Sequence, residues 1–186
     1  MDFNYKLYFK YILSFSDNIF FKISFNNKSK ANLVCLNQSF LYFINIHFKL
    51  SSLFYLNQLV DIFSYELNSN KDSLLSKQLI ITLYNFHLLN TNEKLYLFVL
   101  NYTFFKKTVS LLSITELFSA ANWLEREVSE LHGILFLGKQ DIRNLLLQYG
   151  DSTIPFQKIF PVVGIHEVYY NSTKDTLVQQ HITFQL

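Results

Sequence analysis

The chain has 186 residues, of which half are apolar and only 16% are charged, with a formal net charge of +2. The sequence has no run of about 18 apolar residues, so it offers no candidate for a membrane-spanning helix. It also lacks the dense basic block that phosphate-dominated nucleic-acid binding requires. Phe occurs 20 times and Tyr 12 times. Such a composition fits a large aromatic core, but the sparse charge favours a surface covered by partner proteins.

The cysteine content and the bias in amino-acid composition limit the possible functions and origins of the chain. The single cysteine, Cys35, cannot form an internal disulfide or hold an iron–sulfur cluster alone, and its apolar neighbours favour a small buried side chain over a reactive thiol. Lys outnumbers Arg 14 to 2, which no folding requirement explains. An AT-rich genome does explain it. Because the N-terminus lacks the Arg-rich pattern of a transit peptide, we expect an organelle-encoded gene, with an AT-rich bacterium as the alternative.

The first half of the chain predicts a sheet. Residues 19–25 alternate between apolar and polar, residues 57–67 also favour a strand, and residues 38–50 fit a helix or a strand equally well. Residues 78–89 and 94–103 are rich in β-forming residues and flank a polar, Asn-rich turn. Both segments are apolar on both faces, which is typical of strands inside a sheet.

Capping signals predict helices in the second half. Ser113-Ile-Thr-Glu116 fits a capping box, and Asn122 is predicted to cap a helix that ends at Gly133. After a short apolar link, Asp141 is predicted to cap a further helix that ends at Gly150. The inward-facing residues of these two helices are predicted to be Leu124, Val128, Leu131, Ile142, Leu145 and Leu146.

The residue pattern of the sequence changes after residue 150. Pro155 and Pro161 frame an extended segment, and residues 166–170 and 176–184 are predicted to form a final hairpin. We therefore predict an α+β fold, with a mixed sheet, packed helices and an extended C-terminal tail. Its predicted parts are an N-terminal segment (1–50), an α+β core domain (51–150) and the tail (151–186).

The helix that begins near Asn122 carries an unusual concentration of charge. Glu125, Arg126, Glu127 and Glu130 lie beside Trp123, the only tryptophan. Arg126 and Glu130 are four residues apart and are predicted to pair. A solvated helix face would explain the charge alone, but the shortage of charge elsewhere and the adjacent tryptophan favour a protein interface.

The sequence offers two alternatives to an interface, a catalytic site and a metal site, but neither has the partner residues that it would need. Glu127 and Glu130 would serve as an acid–base pair, yet no nucleophile or base accompanies them. A metal site from Glu130, His132 and Asp141 is disfavoured, because Glu130 and His132 lie two residues apart and point to different faces of a helix. The neighbours His166 and Glu167 alternate across a strand.

The charged segment carries a family resemblance. Ala121-Asn-Trp-Leu-Glu-Arg-Glu-Val128, Glu130-Leu-His-Gly133 and Gly138-Lys-Gln-Asp-Ile-Arg-Asn-Leu-Leu146 resemble the successive motifs of subunit 9 of respiratory NADH:ubiquinone oxidoreductase (complex I). The resemblance covers about residues 57–186 and is specific between 113 and 161. His132 replaces a bulky aromatic residue of the family, and Asn144 and Gln157 each replace an arginine.

The resemblance implies a non-catalytic core subunit of the hydrophilic arm, scaffolding the quinone-reducing module. It implies no cofactor in this chain, with NADH, FMN, iron–sulfur clusters and ubiquinone bound by partner subunits. It also implies contact with the subunits that form the quinone pocket, no membrane span, and a place on the matrix side of the mitochondrial inner membrane. A standalone α+β binding module is the alternative, and a small hydrolase comes third. The residues expected at the partner interface are Trp123, Glu125, Arg126, Glu127, Glu130, Asp141, Arg143 and Lys158.

Overall fold

The computed structural model describes residues 20–26, 31–50, 57–68, 78–89, 92–103, 109–150 and 153–182. Residues 1–19 of the predicted N-terminal segment, part of the polar turn and the end of the predicted final strand lie outside these ranges. Within them, the strands are β1 (Phe20–Asn26), β2 (Ala31–Asn37), β3 (Asn57–Asn68), β4 (Gln78–Leu88), β5 (Glu93–Thr103), β6 (Ser110–Leu112), β7 (Leu135–Leu137), β8 (His166–Asn171) and β9 (Thr176–His181). The helices are α1 (Leu41–Leu50), which follows a 3₁₀ turn at Gln38–Phe40, and α2 (Ala121–His132).

A five-stranded sheet forms the centre of the molecule, in the order β1-β2-β5-β4-β3. Strand β2 runs parallel to β5, and the other neighbours are antiparallel. The mixed sheet confirms the predicted α+β class. The predicted hairpin is β4–β5, and both of its strands have a neighbour on each side, so both lie inside the sheet as predicted. The domain boundaries at 50 and 150 stay predictions, although β1 and β2 share this sheet with β3–β5.

One face of the sheet packs against α1 to form much of the core. Leu41, Ile44 and Phe48 of α1 are buried at helical spacing, so the ambiguous segment 38–50 forms mostly helix. The rings of Phe48 and Phe86 lie 6.3 Å apart, edge to face. Burying a side chain of this size stabilises the fold by about 1.5–3 kcal/mol. Helix α2 packs along the edge strand β3.

The apolar link after α2 is a strand rather than a connection. Strand β7 pairs in parallel with β6, which brings Leu111 opposite Phe136, and both side chains are buried. The backbone N–H of Ser113 donates to the carbonyl of Leu137 at 2.9 Å and extends this pairing. The small sheet therefore fixes the segments on either side of α2.

Helix α2 matches the prediction at its end but not at its start. Val128 and Leu131 are buried, and Gly133 adopts the left-handed conformation with φ of 72°, as predicted. The predicted cap by Asn122 is wrong. The helix begins at Ala121, two residues earlier than a cap at Asn122 would place it, and Ala120 occupies the cap position without a side-chain hydrogen bond. The Asn122 side chain instead accepts a hydrogen bond from Lys139 at 3.0 Å.

Two predicted helices are absent. The capping-box segment forms a turn, in which Ser113 donates to Glu125 and Glu116 accepts from Tyr42. The segment after Asp141 is irregular, because its backbone N–H groups donate to Glu130 of α2 rather than to carbonyls of their own chain segment. The inward packing predicted for Ile142 and Leu146 is also wrong, since they are 73% and 61% exposed, whereas Leu145 is half-buried.

The last described residues, 153–182, form an extended arm that ends in the predicted hairpin, β8–β9. The arm starts against the end of α2, where the N–H of Phe156 donates to the carbonyl of Leu131 at 3.1 Å. Many of its apolar side chains point to solvent. The exposed large ones are Phe156, Ile159, Val162, Val163, Ile165, Val168, Tyr169, Tyr170 and Leu177.

Candidate functional site

A buried ion pair lies beneath the charged face of α2. The Glu125 side chain is 0% exposed and accepts hydrogen bonds from the Ser113 hydroxyl at 2.7 Å and the Ile114 N–H at 2.8 Å. The Lys139 ammonium lies 3.3 Å from the same carboxylate and donates to the Asn122 carbonyl at 2.8 Å. Lys139 is itself only 3% exposed. This pair therefore joins the turn before α2, the helix and the segment after β7.

The charge of Glu125 acts on a second buried group. Tyr84 lies in the core at 0% exposure. Burial raises the pKa of its hydroxyl well above the usual value, and the negative charge of Glu125 raises this pKa further. Tyr84 therefore stays protonated at all ordinary pH values.

Arg126 reaches from α2 to the irregular segment that follows β7. Its Nε donates to the carbonyl of Arg143 at 2.9 Å, and its Nη2 donates to the carbonyl of Asn144 at 3.2 Å. Its Nη1 lies 3.4 Å from the Asp141 carboxylate, which also accepts from Arg143 Nε at 3.0 Å and Nη2 at 2.9 Å. The bonds from Arg143 are the main reason that the pKa of Asp141 lies well below its usual range.

Glu130 satisfies the backbone of the same segment. Its carboxylate accepts from three successive N–H groups, those of Leu145 at 3.0 Å, Leu146 at 2.6 Å and Leu147 at 3.3 Å. Three converging amides form a concave anion site in which the bound anion is a side chain of the protein itself. The predicted pairing of Arg126 with Glu130 is therefore wrong, because each is committed to this segment. We call residues 138–150 the anchored loop.

The anchored loop displays exposed apolar side chains, and the tryptophan of α2 is exposed as well. Trp123 is 64% exposed, Tyr149 is 71% exposed, and Ile142 and Leu146 are similarly open. The Arg126 guanidinium lies 6.0 Å from the Trp123 ring centroid. Sequence reasoning missed the three loop side chains as surface residues, because their spacing also fits the buried stripe of a helix.

The other predicted interface residues lie in different places. Glu127 is half-buried on α2. Lys158 is exposed in the arm, and its backbone N–H donates to Glu66 of β3 at 3.0 Å. The structure thus brings together five of the predicted residues, holds Glu125 beneath them and leaves Lys158 apart. The five are Trp123, Arg126, Glu130, Asp141 and Arg143. Their role as a partner interface stays a prediction.

The root of the arm is fitted closely to the end of α2. Gln157 donates to the His132 carbonyl at 3.2 Å, and the ring of Phe156 meets the His132 ring edge-on at 5.4 Å. A Cβ at Gly133 would lie 2.7 Å from Cδ1 of Ile154. Burial lowers the pKa of His132, and the charge of Glu66 opposes this effect. His132 and Gln157, two departures from the family pattern, therefore both contact this junction.

The catalytic and metal-binding alternatives gain nothing from this geometry. Among the described residues, no three His, Cys, Asp or Glu side chains converge in a way that would hold a metal ion. The Glu130 carboxylate accepts from loop amides and Asp141 lies against two arginines, so these two do not join His132 in a site. Of the helices in the described ranges, none has the length and apolar character needed to cross a membrane.

Fold and site together define the class of protein: a mixed-sheet α+β domain whose charged helix fixes a surface loop and the root of an apolar arm. The chain belongs to the family described as the respiratory-chain NADH dehydrogenase 30 Kd subunit, whose model matches residues 45–166. This match confirms the family that the motifs indicated.

Individual relatives match a shorter segment. NADH-ubiquinone oxidoreductase subunit 9 of Paramecium primaurelia is 49% identical over 75 residues, which are 40% of this chain and 36% of the relative. An NADH-quinone oxidoreductase subunit of the bacterium Polynucleobacter asymbioticus is 42% identical over 73 residues, 39% of this chain and 37% of the relative. The mitochondrial NADH dehydrogenase [ubiquinone] iron-sulfur protein 3 of Candida albicans is 40% identical over 78 residues, 42% of this chain and 28% of the relative. The matched segment thus spans about a third of the length of these relatives.

A solved structure shares the fold over a longer range. A chain of the archaeal membrane-bound sulfane sulfur reductase, a respiratory membrane complex, aligns with a TM-score of 0.63 and 14% identity. The alignment covers 85% of this chain and 86% of that chain. At this identity, the likeness concerns the fold alone.

Proposed function

We propose that this chain is a non-catalytic core subunit of the hydrophilic arm of respiratory complex I, where it scaffolds the quinone-reducing module. The observation that carries the proposal is the family match over residues 45–166, which includes the whole of α2 and the anchored loop. The charged side chains that an enzyme would use for chemistry are instead bonded within the chain. NADH, FMN, iron–sulfur clusters and ubiquinone would bind in the partner subunits.

The surface of the chain supports a scaffolding role. Ile159 and Val162 of the arm are almost fully exposed, and Trp123 is exposed on α2. Exposed large apolar side chains mark protein contacts where they gather into patches. We propose that Trp123, Arg143 and Lys158 contact the subunits of the quinone pocket. Glu125, Arg126 and Glu130 would hold the contacting segments in place.

We also propose that the protein lies on the matrix side of the mitochondrial inner membrane and is encoded in the organelle. The ratio of 14 Lys to 2 Arg supports an AT-rich organelle gene. Two of the similar proteins carry names from ubiquinone oxidoreductases of eukaryotes, and one of these names is mitochondrial. The bacterial relative is nearly as similar, so cell fractionation with the tagged chain is the test of location.

The proteins that co-purify with the chain test its assignment to complex I. The native chain is isolated under mild detergent, and the proteins that co-migrate with it on a native gel are identified by mass spectrometry. We expect an iron–sulfur assembly that oxidises NADH. A chain that migrates alone, or with an assembly of another kind, would favour the standalone binding module and refute the proposal.

A further inference from the structure

The proposed function places Arg143 at a subunit contact but does not say which neighbouring side chains share that contact or what chemistry they recognise. We infer that Ile142, Arg143, Leu146 and Tyr149 form a docking surface for an apolar segment of a neighbouring subunit, with a carboxylate of that segment opposite Arg143. This inference rests on the proposed function, because the neighbour is a subunit of the same complex. It assigns the contact to the loop and a positioning role to Arg126 and Glu130.

The loop is ordered before any partner arrives. Glu130 holds three of its N–H groups, and Arg126 holds the carbonyls of Arg143 and Asn144. A non-helical loop with these backbone groups satisfied loses little conformational freedom on binding, and pre-organisation of this kind strengthens association. The arrangement also directs the side chains of Ile142 and Leu146 to solvent, where an ordinary helix would have turned part of this stripe inward.

The charge of the loop defines the chemistry of the occupant. The single carboxylate of Asp141 lies against two guanidinium groups, those of Arg126 and Arg143, so these three residues carry a net charge of +1. Arg126 is 9% exposed and Arg143 is 70% exposed, so Arg143 is the guanidinium group that faces solvent. Arg143 uses Nε and Nη2 on Asp141, which leaves Nη1 as a donor for an acceptor on the partner.

Exposed apolar side chains share the loop with this donor. Tyr149 lies near enough to Arg143 to act on its charge, and Ile142 and Leu146 are exposed on the same loop. Arginine and tyrosine are enriched among the residues that dominate binding energy, where apolar neighbours exclude water from the contact. An acidic group within an apolar segment fits this surface, whereas a basic or strongly hydrated segment does not.

The test uses the full chain co-expressed with the other hydrophilic-arm subunits. A photo-reactive p-benzoylphenylalanine replaces Leu146, and the cross-linked peptide is identified by mass spectrometry. We expect a peptide from another subunit of the complex, with Asp or Glu among apolar residues. A cross-link to a second copy of this chain, to no protein, or to a segment without an acidic residue would overturn the inference.

Binding variants test the same contact quantitatively against the partner identified by cross-linking. Leu146→Asp is expected to weaken binding at least about tenfold, while Leu50→Asp, a matched control at an exposed position on α1, binds as the wild type does. Arg143→Gln is expected to weaken binding and to flatten its dependence on salt, an effect that simple loss of loop order would not produce.

The outcomes separate this inference from the proposed function. If the wild-type chain joins the complex and Leu146→Asp joins it equally well, the docking surface is wrong and the subunit assignment stands. If the wild-type chain itself fails to join, the proposed function is wrong. Circular dichroism of Leu146→Asp, whose side chain is exposed, guards against loss of the fold.

Discussion

Replacing Lys139 by methionine tests whether the buried ion pair organises the helix and its surroundings. The substitution preserves most of the side-chain volume and removes the charge, so the Glu125 carboxylate stays at 0% exposure with two neutral donors. The Asn122 carbonyl also loses its bond to the ammonium. Removing one partner of a buried pair costs about 3–5 kcal/mol, because the remaining charge is left uncompensated.

The exposed pair of Arg143 with Asp141 provides the comparison. Arg143 is 70% exposed, so Arg143→Met is expected to change stability little, because solvent screens an exposed pair. A double variant, Lys139→Met with Glu125→Gln, removes both buried charges and is expected to regain part of the lost stability. The contrast between the three variants isolates the cost of an unpaired buried charge from the cost of altered packing.

The assay is urea denaturation of the full chain carried on a solubility tag, followed by circular dichroism. With a urea slope of about 2 kcal/mol per molar, the loss predicted for Lys139→Met moves the midpoint down by about 1.5–2.5 M. Arg143→Met should move it far less. If Lys139→Met leaves the midpoint unchanged, or if the double variant unfolds at no higher urea than Lys139→Met, the reasoning about this pair is refuted.

Three further predictions concern the arm and the loop. Gly133→Ala and Gly138→Ala each place a side chain at positive φ, costing about 1–2 kcal/mol, but only the first also crowds the arm; Gly133→Ala should therefore unfold at lower urea and release the arm to limited proteolysis. Burial lowers the pKa of His132 from its usual value of 6.5. As the pH falls below about 6.5, His132 therefore becomes protonated in the unfolded chain before it does in the folded chain. The free energy of unfolding is then expected to decrease on acidification. His132→Phe should remove this loss in melting experiments at several pH values, whereas His181→Phe, at an exposed site, should keep it. Glu130→Gln should speed hydrogen exchange of the three loop amides; unchanged exchange would contradict the anchoring role.

Much of the architecture follows from local pattern. Segments 78–89 and 94–103 are β-rich on both faces, and they form the hairpin β4–β5 inside the sheet. Gly133 marks the end of α2 because few other residues adopt a positive φ without strain. Burial of Val128 and Leu131 follows from their spacing on the helix. These features depend on contacts between residues that are close in the sequence, so the local sequence pattern predicts them.

The structure departs from the pattern where distant side chains compete for backbone groups. The segment after Asp141 has helical spacing, yet the carboxylate of Glu130 takes three of its N–H groups from 15 to 17 residues away. Asn122 has the chemistry of a helix cap, yet its oxygen atoms bond the ammonium of Lys139. The two partners of each of these contacts are too far apart in the sequence for a local pattern to include both. The motif was therefore enough to indicate the site and the family, but the directions of the side chains could be seen only in the folded structure.

We propose that the chain works as a non-catalytic subunit of the hydrophilic arm of complex I. The most direct measurement removes the chain from its cell and follows NADH:ubiquinone reductase activity together with the native-gel mass of the complex. We expect the assembled complex and its activity to decline in proportion, and restoring the chain to restore both. A complex of full size and full activity without the chain, or an isolated chain that turns over substrate alone, would show that the chain does not have this role.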